Sequence, residues 1–499
     1  MQRVLPPAAS SSLPLCGAAL TREMEQRAAA TLPPHTLMRR AGTAVARLAL
    51  AVAPHAQRIW VYAGPGNNGG DGLDAAIHLR AAGKNVTVRL LGEEARLPAD
   101  ASDALARARA AGVAIASDAP ALLEPGDLAI DALLGVGASR APEGPLAAAI
   151  AELNALRCAV LAIDLPSGLH PGTGQRLGTD AVRAQHTLSL LSLKPGLFTA
   201  LGRDHAGVVW LDDLGVEAPD PPDAWLLGSQ VDKTPPRSHA QHKGSFGDVA
   251  VIGGAPGMNG AALLAARAAH AAGAGRVYVS MLDEHAPQHD LLRPELMFRA
   301  AWWKSAEAVL ARSTVVCGCG GGTAVREALP RLLSAAGRLV LDADSLNTIA
   351  NDATLQALLR ARASRARFTV LTPHPLEAAR LLGTDAREVQ ADRLAAAQQL
   401  AERFASVVLL KGSGSVIALP GQPPCINPTG NAALATAGTG DVLAGWLGGG
   451  WAQRPESEEL DAARNAAWSA AYRHGAAADR HGGTVLRAAD LIELMSADR

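Results

Sequence analysis

Asn67, Asn68 and Asp71 stand among five glycines in Ala63-Gly64-Pro65-Gly66-Asn67-Asn68-Gly69-Gly70-Asp71-Gly72, directly after the apolar run RIWVY. Amide oxygens beside one carboxylate suit a hard cation. Repeated glycine lets a backbone visit left-handed angles and approach a ligand closely. The helix expected after Asp71, over Leu73-Ala82, offers free N–H groups that suit a phosphate or pyrophosphate. The stretch has no lysine and no G-x-x-x-x-G-K-[ST], so a Walker site is not supported. Two other apolar runs also end in oxygen ligands: Asp131 in IDALLG, and Asp164 with Ser167 in AIDLPSG. A carboxylate at the end of a buried strand is costly unless it is paired, metal-bound or solvated at a site. These oxygens are therefore expected to converge across one cleft. A tight glycine turn, and helix capping by Asp164 and Ser167, are the plainer alternatives.

A second constellation lies far along the chain, in Ala437-Gly438-Thr439-Gly440-Asp441-Val442-Leu443-Ala444-Gly445. Glycines ahead of an acid at the start of an apolar helix can present N–H groups to a phosphoryl group while Asp441 faces a hydroxyl. A simple helix cap would explain the same residues. Lys411 in LLKGSGSVI is one of six lysines, either a ligand or a solvated surface group; His374 in TPHPLEAARLLG is either a contact or a satisfied core histidine. Asp344 in LDADSLN either orients water or metal, or bonds strand-end amides. Cys317 and Cys319 form a C-x-C pair without a second pair nearby, which is a thin basis for a metal site.

The elements that must position these groups alternate along the chain. Arg58-Ala63, Asn85-Leu91, Leu128-Ala132, Ala159-Asp164 and a run from Val208 read as strands, with helices over Leu73-Ala82 and Ala101-Ala111. Val216-Ala240 holds five prolines and reads as a connection, with a boundary near residue 222. A second series follows: strands Asp248-Ile252, Arg276-Ser280, Thr314-Cys317, Arg338-Leu341, Phe368-Leu371 and Val407-Leu410, and helices Asn259-Ala272, Asp441-Ala452 and Glu458-His474. Ser415-Leu419 fits a hairpin partner. Both halves read as α/β with parallel crossovers, giving domains 1-222 and 223-499. Basic and acidic residues number 46 and 47, so no general nucleic-acid or membrane face is expected. Five cysteines without a framework point to a reducing, cytoplasmic setting.

Taken together, GPGNNGGDG, DALLGVG, IDLPSG and LKPGL, with TREMEQRA and LMRRAG ahead of them, resemble the NAD(P)H-hydrate epimerase domain of bifunctional nicotinamide repair proteins, across residues 18-214. The resemblance implies a Rossmann-like three-layer domain. In it, Asn67, Asn68, Gly69, Gly70 and Asp71, with Gly135, Val136, Gly137, Ala138, Ser139, Arg140 and Ala141, bind the hydrated dinucleotide. Asn68, Asp131 and Ser167 match potassium ligands. Asp164 matches the acid beside the substrate and is expected to handle the proton; Lys194 in SLKPG falls on a motif position.

Residues 228-496 resemble the ADP/ATP-dependent NAD(P)H-hydrate dehydratase, a ribokinase-like fold. The resemblance rests on HKGSFGDVAVIGG, NGAALLAARAAHAAGAG, LDADSLN, TPHPLEAARLLG, LLKGSGSVI and GTGD in order. It implies that Ala261, Gly320, His374 and Asp441 face the hydrate. Lys411, Gly412, Ser413, Gly414, Ser415 and Gly440 face the nucleotide, which is expected to be ADP with Mg²⁺. One departure is plain: Gly318-Cys319-Gly320-Gly321-Gly322 stands where that family reads GPGLG. The implied chemistry interconverts the C6 epimers of hydrated NADH and NADPH in the first domain. In the second, phosphate is transferred to the C6 hydroxyl, with Asp441 as base, and then expelled. Homo-oligomerisation is a further expectation of the resemblance. A ribokinase-like kinase of a vitamin precursor would explain GTGD but not the first domain; a nonenzymatic dinucleotide-binding module would explain the first domain alone.

Overall fold

Short runs of valine, leucine and isoleucine form the strands of both halves, and their burial shows why they need no polar face. Every residue of the strand Leu128–Ala132 is buried, Asp131 included, as expected where helices cover both sides of a parallel sheet. The structure is a computed structural model and describes residues 1–5, 10–118, 123–231, 237–454 and 459–497. Asp232-Pro236 of the expected connection, and Glu458 at the start of the expected last helix, lie outside them. The chain divides into two units, Met1–Leu226 and Leu227–Arg499. Among the described residues no helix is long and apolar enough to cross a membrane.

In the first unit, Arg58–Ala63 is central. It pairs in parallel with Asn85–Leu90 on one side and with Leu128–Ala132 on the other. Beyond Leu128–Ala132 the sheet continues through Ala159–Ile163, His186–Leu190 and Val208–Asp212. The chain thus works outward from Arg58–Ala63 in one direction, returns, and works outward in the other. The gap between the carboxyl ends of Arg58–Ala63 and Leu128–Ala132 is the switch point, where open α/β sheets bind ligands.

The helix at this switch point begins at Asn67, not at Leu73, and runs to Ala81. None of Gly64, Gly66, Gly69, Gly70 and Gly72 has a positive φ, so left-handed freedom is not what they supply. They supply closeness. A Cβ on Gly64 would lie 1.8 Å from the Leu133 carbonyl oxygen, and one on Gly69 would lie 2.1 Å from the Gly64 carbonyl oxygen. Gly72 abuts Ala132 and Val61 in the same way. The first turns press against two strand ends, and only hydrogen fits between them.

The second unit repeats the plan. Asp248–Gly253 lies between Arg276–Met281 and Thr314–Cys317, all parallel. Arg338–Leu341, Phe368–Leu371 and Val407–Leu410 extend the parallel sheet, and Val416–Leu419 turns back antiparallel. Its switch point lies between the ends of Asp248–Gly253 and Thr314–Cys317. Over the sheet, Thr439–Ala452 packs on Asn259–Ala271 through small residues: Cβ atoms on Gly445 and Gly449 would lie 2.0 and 2.2 Å from the carbonyl oxygens of Ala265 and Ala269. That close contact fixes where Asp441 stands.

Candidate active sites

A cleft of about 880 Å³ opens at the first switch point, lined by Asn67, Asn68, Asp71, Gly135–Ala138 and Asp164. The Asn67–Ala81 helix starts from Gly66 with no side-chain cap, so its leading amides face the cleft unclaimed. Ser139, Arg140 and Ala141 do not line the cleft, and neither do Gly69 and Gly70; the last two pack inward against Gly64, Met38 and Ala101.

Asp164 is the residue just past Ala159–Ile163 and takes a left-handed φ of 69°. Such strain in a non-glycine residue collects at functional sites. Its Oδ2 accepts the Val136 N–H at 3.1 Å, and its Oδ1 is ion-paired with the Lys194 ammonium. Lys194 is fully buried and also donates to the carbonyls of Leu190 at 2.7 Å and Ser192 at 2.9 Å. Two further carboxyls face Asp164. Burial first, then the Asp164 charge, pushes Asp71 well above the ordinary range and raises Glu25 as well. Glu25 lies in TREMEQRA and was not singled out from sequence; no local pattern marks it, because its neighbours here come from other strands.

Asp131 and Ser167 lie behind this wall. Ser167 donates its N–H and hydroxyl to Asp131 at 2.8 and 2.6 Å, and its hydroxyl accepts the Leu134 N–H at 2.9 Å. Asn68 packs against Gly135 on the same loop. Burial, opposed by the Ser167 hydrogen bonds, pushes the Asp131 carboxyl up to about 6.

At the second switch point, Asp441 occupies the first turn of Thr439–Ala452, behind Gly438 at φ 89°. The sulfur of Cys319 and one oxygen each of Asp342 and Asp441 lie within 4.8 Å of one another. Lys411 reaches into the group, donating to Asp342 at 2.6 Å with Glu377 at 4.0 Å. Its Nζ also lies 3.5 Å from the position of a Cβ on Gly440, so the KGSGS hairpin and the GTGD turn meet through Lys411. Burial and then the Asp342 charge push Asp441 up to about 6, while the Cys319 hydrogen bond and Lys411 oppose them. Burial, then the charges of Asp441 and Asp342, drive the Cys319 thiol well above its ordinary value.

The remaining expected residues divide. Ala261 and Gly320 face each other, a Cβ on Gly320 falling 2.9 Å from that of Ala261. Gly412 and Gly414 take φ of 141° and 60°, shaping the hairpin between Lys411 and Ser415, and Arg393 sits beneath Gly412. His374 caps the Pro375–Leu382 helix, accepting the N–H groups of Leu376 and Glu377. Asp344 accepts the Gly322 N–H at 2.8 Å. Cys317 and Cys319 do not act as a pair: Cys317 ends a buried strand outside the cluster, and Cys319 joins Asp342 and Asp441. Asp342 was missed. It sits in the quoted LDADSLN, but only the fold brings it to Lys411, 69 residues on.

Residues 249–496 match the family model described as NAD(P)H-hydrate dehydratase, and residues 34–196 match the model described as YjeF-related protein N-terminus. A bifunctional NAD(P)H-hydrate repair enzyme of Coxiella burnetii is 38% identical over 475 residues, covering 92% of this chain and 93% of its own. The bifunctional NAD(P)H-hydrate repair enzyme of Escherichia coli (strain K12) is 35% identical, covering 92% of this chain and 88% of its own. Among solved structures, the ADP/ATP-dependent NAD(P)H-hydrate dehydratase of Bacillus subtilis co-crystallised with ATP and Mg²⁺ is 28% identical, with a TM-score of 0.44, covering 54% of this chain and 94% of its own.

Proposed function

The chain belongs to the bifunctional NAD(P)H-hydrate repair enzymes, and from that premise we propose how its residues divide the work. The first unit interconverts the C6 epimers of hydrated NADH and NADPH. The second dehydrates the S epimer to NAD(P)H at the expense of ADP, giving AMP and phosphate. The observation that carries the division is that each unit holds its own carboxylate centre at its own switch point: Asp164 with Lys194, and Asp441 with Asp342 and Lys411.

In the first site the unclaimed amides of Asn67 and Asn68 and the loop Gly135–Ala138 take the diphosphate. Asp164, held by Lys194, passes a proton to the C6 hydroxyl, which leaves as water on the push of the ring nitrogen, and takes a proton back as water adds to C6 from the other face. Asp71, whose carboxyl retains its proton far above the ordinary range, supplies an acid in the same cleft. Asn68, Asp131 and Ser167 would hold K⁺. Asp131 is completely buried, and among the described residues its carboxyl meets only neutral donors, the Leu133 N–H and the N–H and hydroxyl of Ser167. A bound monovalent cation would supply the charge that a buried carboxylate lacks.

In the second site Asp441 removes the proton of the C6 hydroxyl as that oxygen attacks the terminal phosphoryl group of ADP. The leading amides of Thr439–Ala452 and the Lys411 ammonium face the phosphates. The ring nitrogen's electron pair then expels phosphate from C6, and loss of a proton from C5 restores the ring double bond of the reduced nicotinamide. His374, Ala261 and Gly320 border the hydrate; Gly412–Ser415 and Gly440 border the nucleotide. Asp342, on the evidence of its carboxylate oxygens, would hold Mg²⁺ together with the nucleotide; the Cys319 thiol is too soft a donor to do so. Mg²⁺ would supply charge neutralisation on the phosphates. A cytoplasmic setting completes this reading, supported by five buried free cysteines; homo-oligomerisation rests on the sequence resemblance alone.

The test is an epimer-resolved assay on purified hydrates. Without ADP, either epimer should drift to a mixture. With ADP and Mg²⁺, both should be consumed to NAD(P)H with one phosphate released per turnover. Accumulation of a stable phosphate ester instead of NAD(P)H would mark a small-molecule kinase and defeat the proposal.

A further inference from the structure

The Thr36–Val52 helix carries a charge pattern that the epimerase reading leaves unused. Arg39, Thr43 and Arg47 recur every four residues and so share one face, with Arg40 beside them. That face walls a groove of about 570 Å³, completed by Asp212, Leu214 and Gly215. Thr36 and Leu214 line both this groove and the 880 Å³ cleft, so the two adjoin. Arg39 and Arg47 are exposed, and neither forms an ion pair among the described residues. Arg40 is fixed in place, donating to the Leu214 carbonyl at 2.5 Å. Gly215, at φ 73°, leaves room for it: a Cβ there would lie 3.0 Å from the same guanidinium nitrogen. Asp212, an acid of the groove, is already engaged by the Met1 amino group at 3.5 Å and the Leu214 N–H at 3.1 Å. The groove's hydroxyls are already spent, Thr36 donating to the Pro33 carbonyl at 2.7 Å and Thr43 to the Arg39 carbonyl at 2.8 Å, so what it offers is guanidinium donors, away from the Asp164 end where the ring reacts.

We propose that this groove binds the 2′-phosphate of hydrated NADPH at the epimerase site, through Arg39 and Arg47. The proposal rests on the epimerase reading of the cleft. Hydrated NADPH differs from hydrated NADH by one phosphate monoester, with a charge of about −1.5 to −2 near neutral pH. Arginine forks match phosphate oxygens in geometry as well as charge. Contacts remote from the reacting ring fix the substrate without touching the chemistry, so their loss raises KM and spares kcat.

The experiment uses the full-length chain without ADP and follows epimer exchange of each hydrate by chiral separation. In an Arg39→Ala/Arg47→Ala double variant, KM for the NADPH hydrate should rise about tenfold or more, with kcat and the NADH-hydrate KM held within about twofold. Adenosine 2′-monophosphate should compete with substrate in the parent and lose that competition in the variant. Arg39→Lys/Arg47→Lys should recover part of the loss, which mere repair of packing would not do selectively for one hydrate. Equal KM changes for both hydrates, or none for either, would overturn the proposal while leaving the epimerase reading intact. No epimer exchange in the parent protein would overturn that reading, and this proposal with it.

Discussion

Asp441→Asn should make the second unit more stable and nearly inactive. The carboxyl is pushed from 3.8 up to about 6, chiefly by burial and then by the charge of Asp342. A group whose pKa is raised on folding favours the folded state at low pH, and that advantage is lost as pH climbs through the folded value. Between pH 3.8 and about 6 the parent protein therefore sheds stability that an amide does not lose. Two pKa units correspond to about 3 kcal/mol as an upper bound, lowered by solvent screening at its partly exposed edge. The variant's advantage in thermal unfolding should be near zero below about pH 4, grow through about pH 6 and level off above it. Dehydration should fall by about two to four orders of magnitude, the loss expected for a positioned base. In the parent protein its rate should fall as pH drops through about 6, as the base takes up its proton. Epimer exchange should persist. Scanning calorimetry across that pH range, with NAD(P)H formation followed by its absorbance, gives both answers. A folded variant that dehydrates at near-parental rate, or a stability gain that is the same at every pH, would refute the assignment of base and burial to this residue.

Lys194→Met should strand the Asp164 charge in the fold, costing about 3–5 kcal/mol in unfolding experiments and abolishing epimer exchange. Gly69→Ala forces a methyl to within 2.1 Å of the Gly64 carbonyl oxygen; a loss of about 1–3 kcal/mol and slower epimer exchange are expected, and unchanged values of both would remove the close-packing account. For Asp131, cation binding requires the ionised carboxyl, so activation of epimer exchange by potassium should weaken as pH falls through about 6. Asp131→Asn should abolish that activation, and thallium density in crystals should sit beside Asn68 and Ser167; density elsewhere alone would contradict the placement.

The strands were legible because each is a short buried apolar run, and their burial is the property that the residue types encode. The start of the Asn67–Ala81 helix was not. Asn-Asn-Gly-Gly has poor intrinsic helix propensity, and read locally it is a loop. Tertiary packing overrides that preference, since the glycines in this turn are the residues that fit against Gly64 and the neighbouring strands. The acids at strand ends could be marked as costly from sequence. Their partners could not, because Asp342 meets Lys411 and Asp164 meets Lys194 only after crossovers are laid down. Asp344 and Asp342 are two residues apart in one motif, yet one holds a loop amide and the other meets the lysine of the site.

The GCGGG departure shows how a motif can change its letters and retain its geometry. Gly318, Gly320 and Gly322 all take positive φ, at 119°, 58° and 52°, angles that proline or leucine would not share at those three positions. The carbonyls of Cys319 and Gly320 accept the N–H groups of Gly254 and Ala255 at 3.0 and 2.7 Å. The loop is therefore held by its backbone against the facing strand end, and its side chains are left to vary. Cys319 uses that freedom to turn a thiol toward Asp441. Because the thiol's own proton is held tightly by burial and by two neighbouring carboxylates, it acts there as a donor rather than as a nucleophile. It favours the ionised form of the Asp441 carboxyl, which burial and Asp342 disfavour. The same turn in the first unit is tied by Gly64, whose N–H donates to Ala132 at 3.0 Å. In both units a backbone hydrogen bond from a glycine ties neighbouring strand ends across the switch point, while the acids of the two sites stand on other elements, Asp164 just past Ala159–Ile163 and Asp441 on Thr439–Ala452.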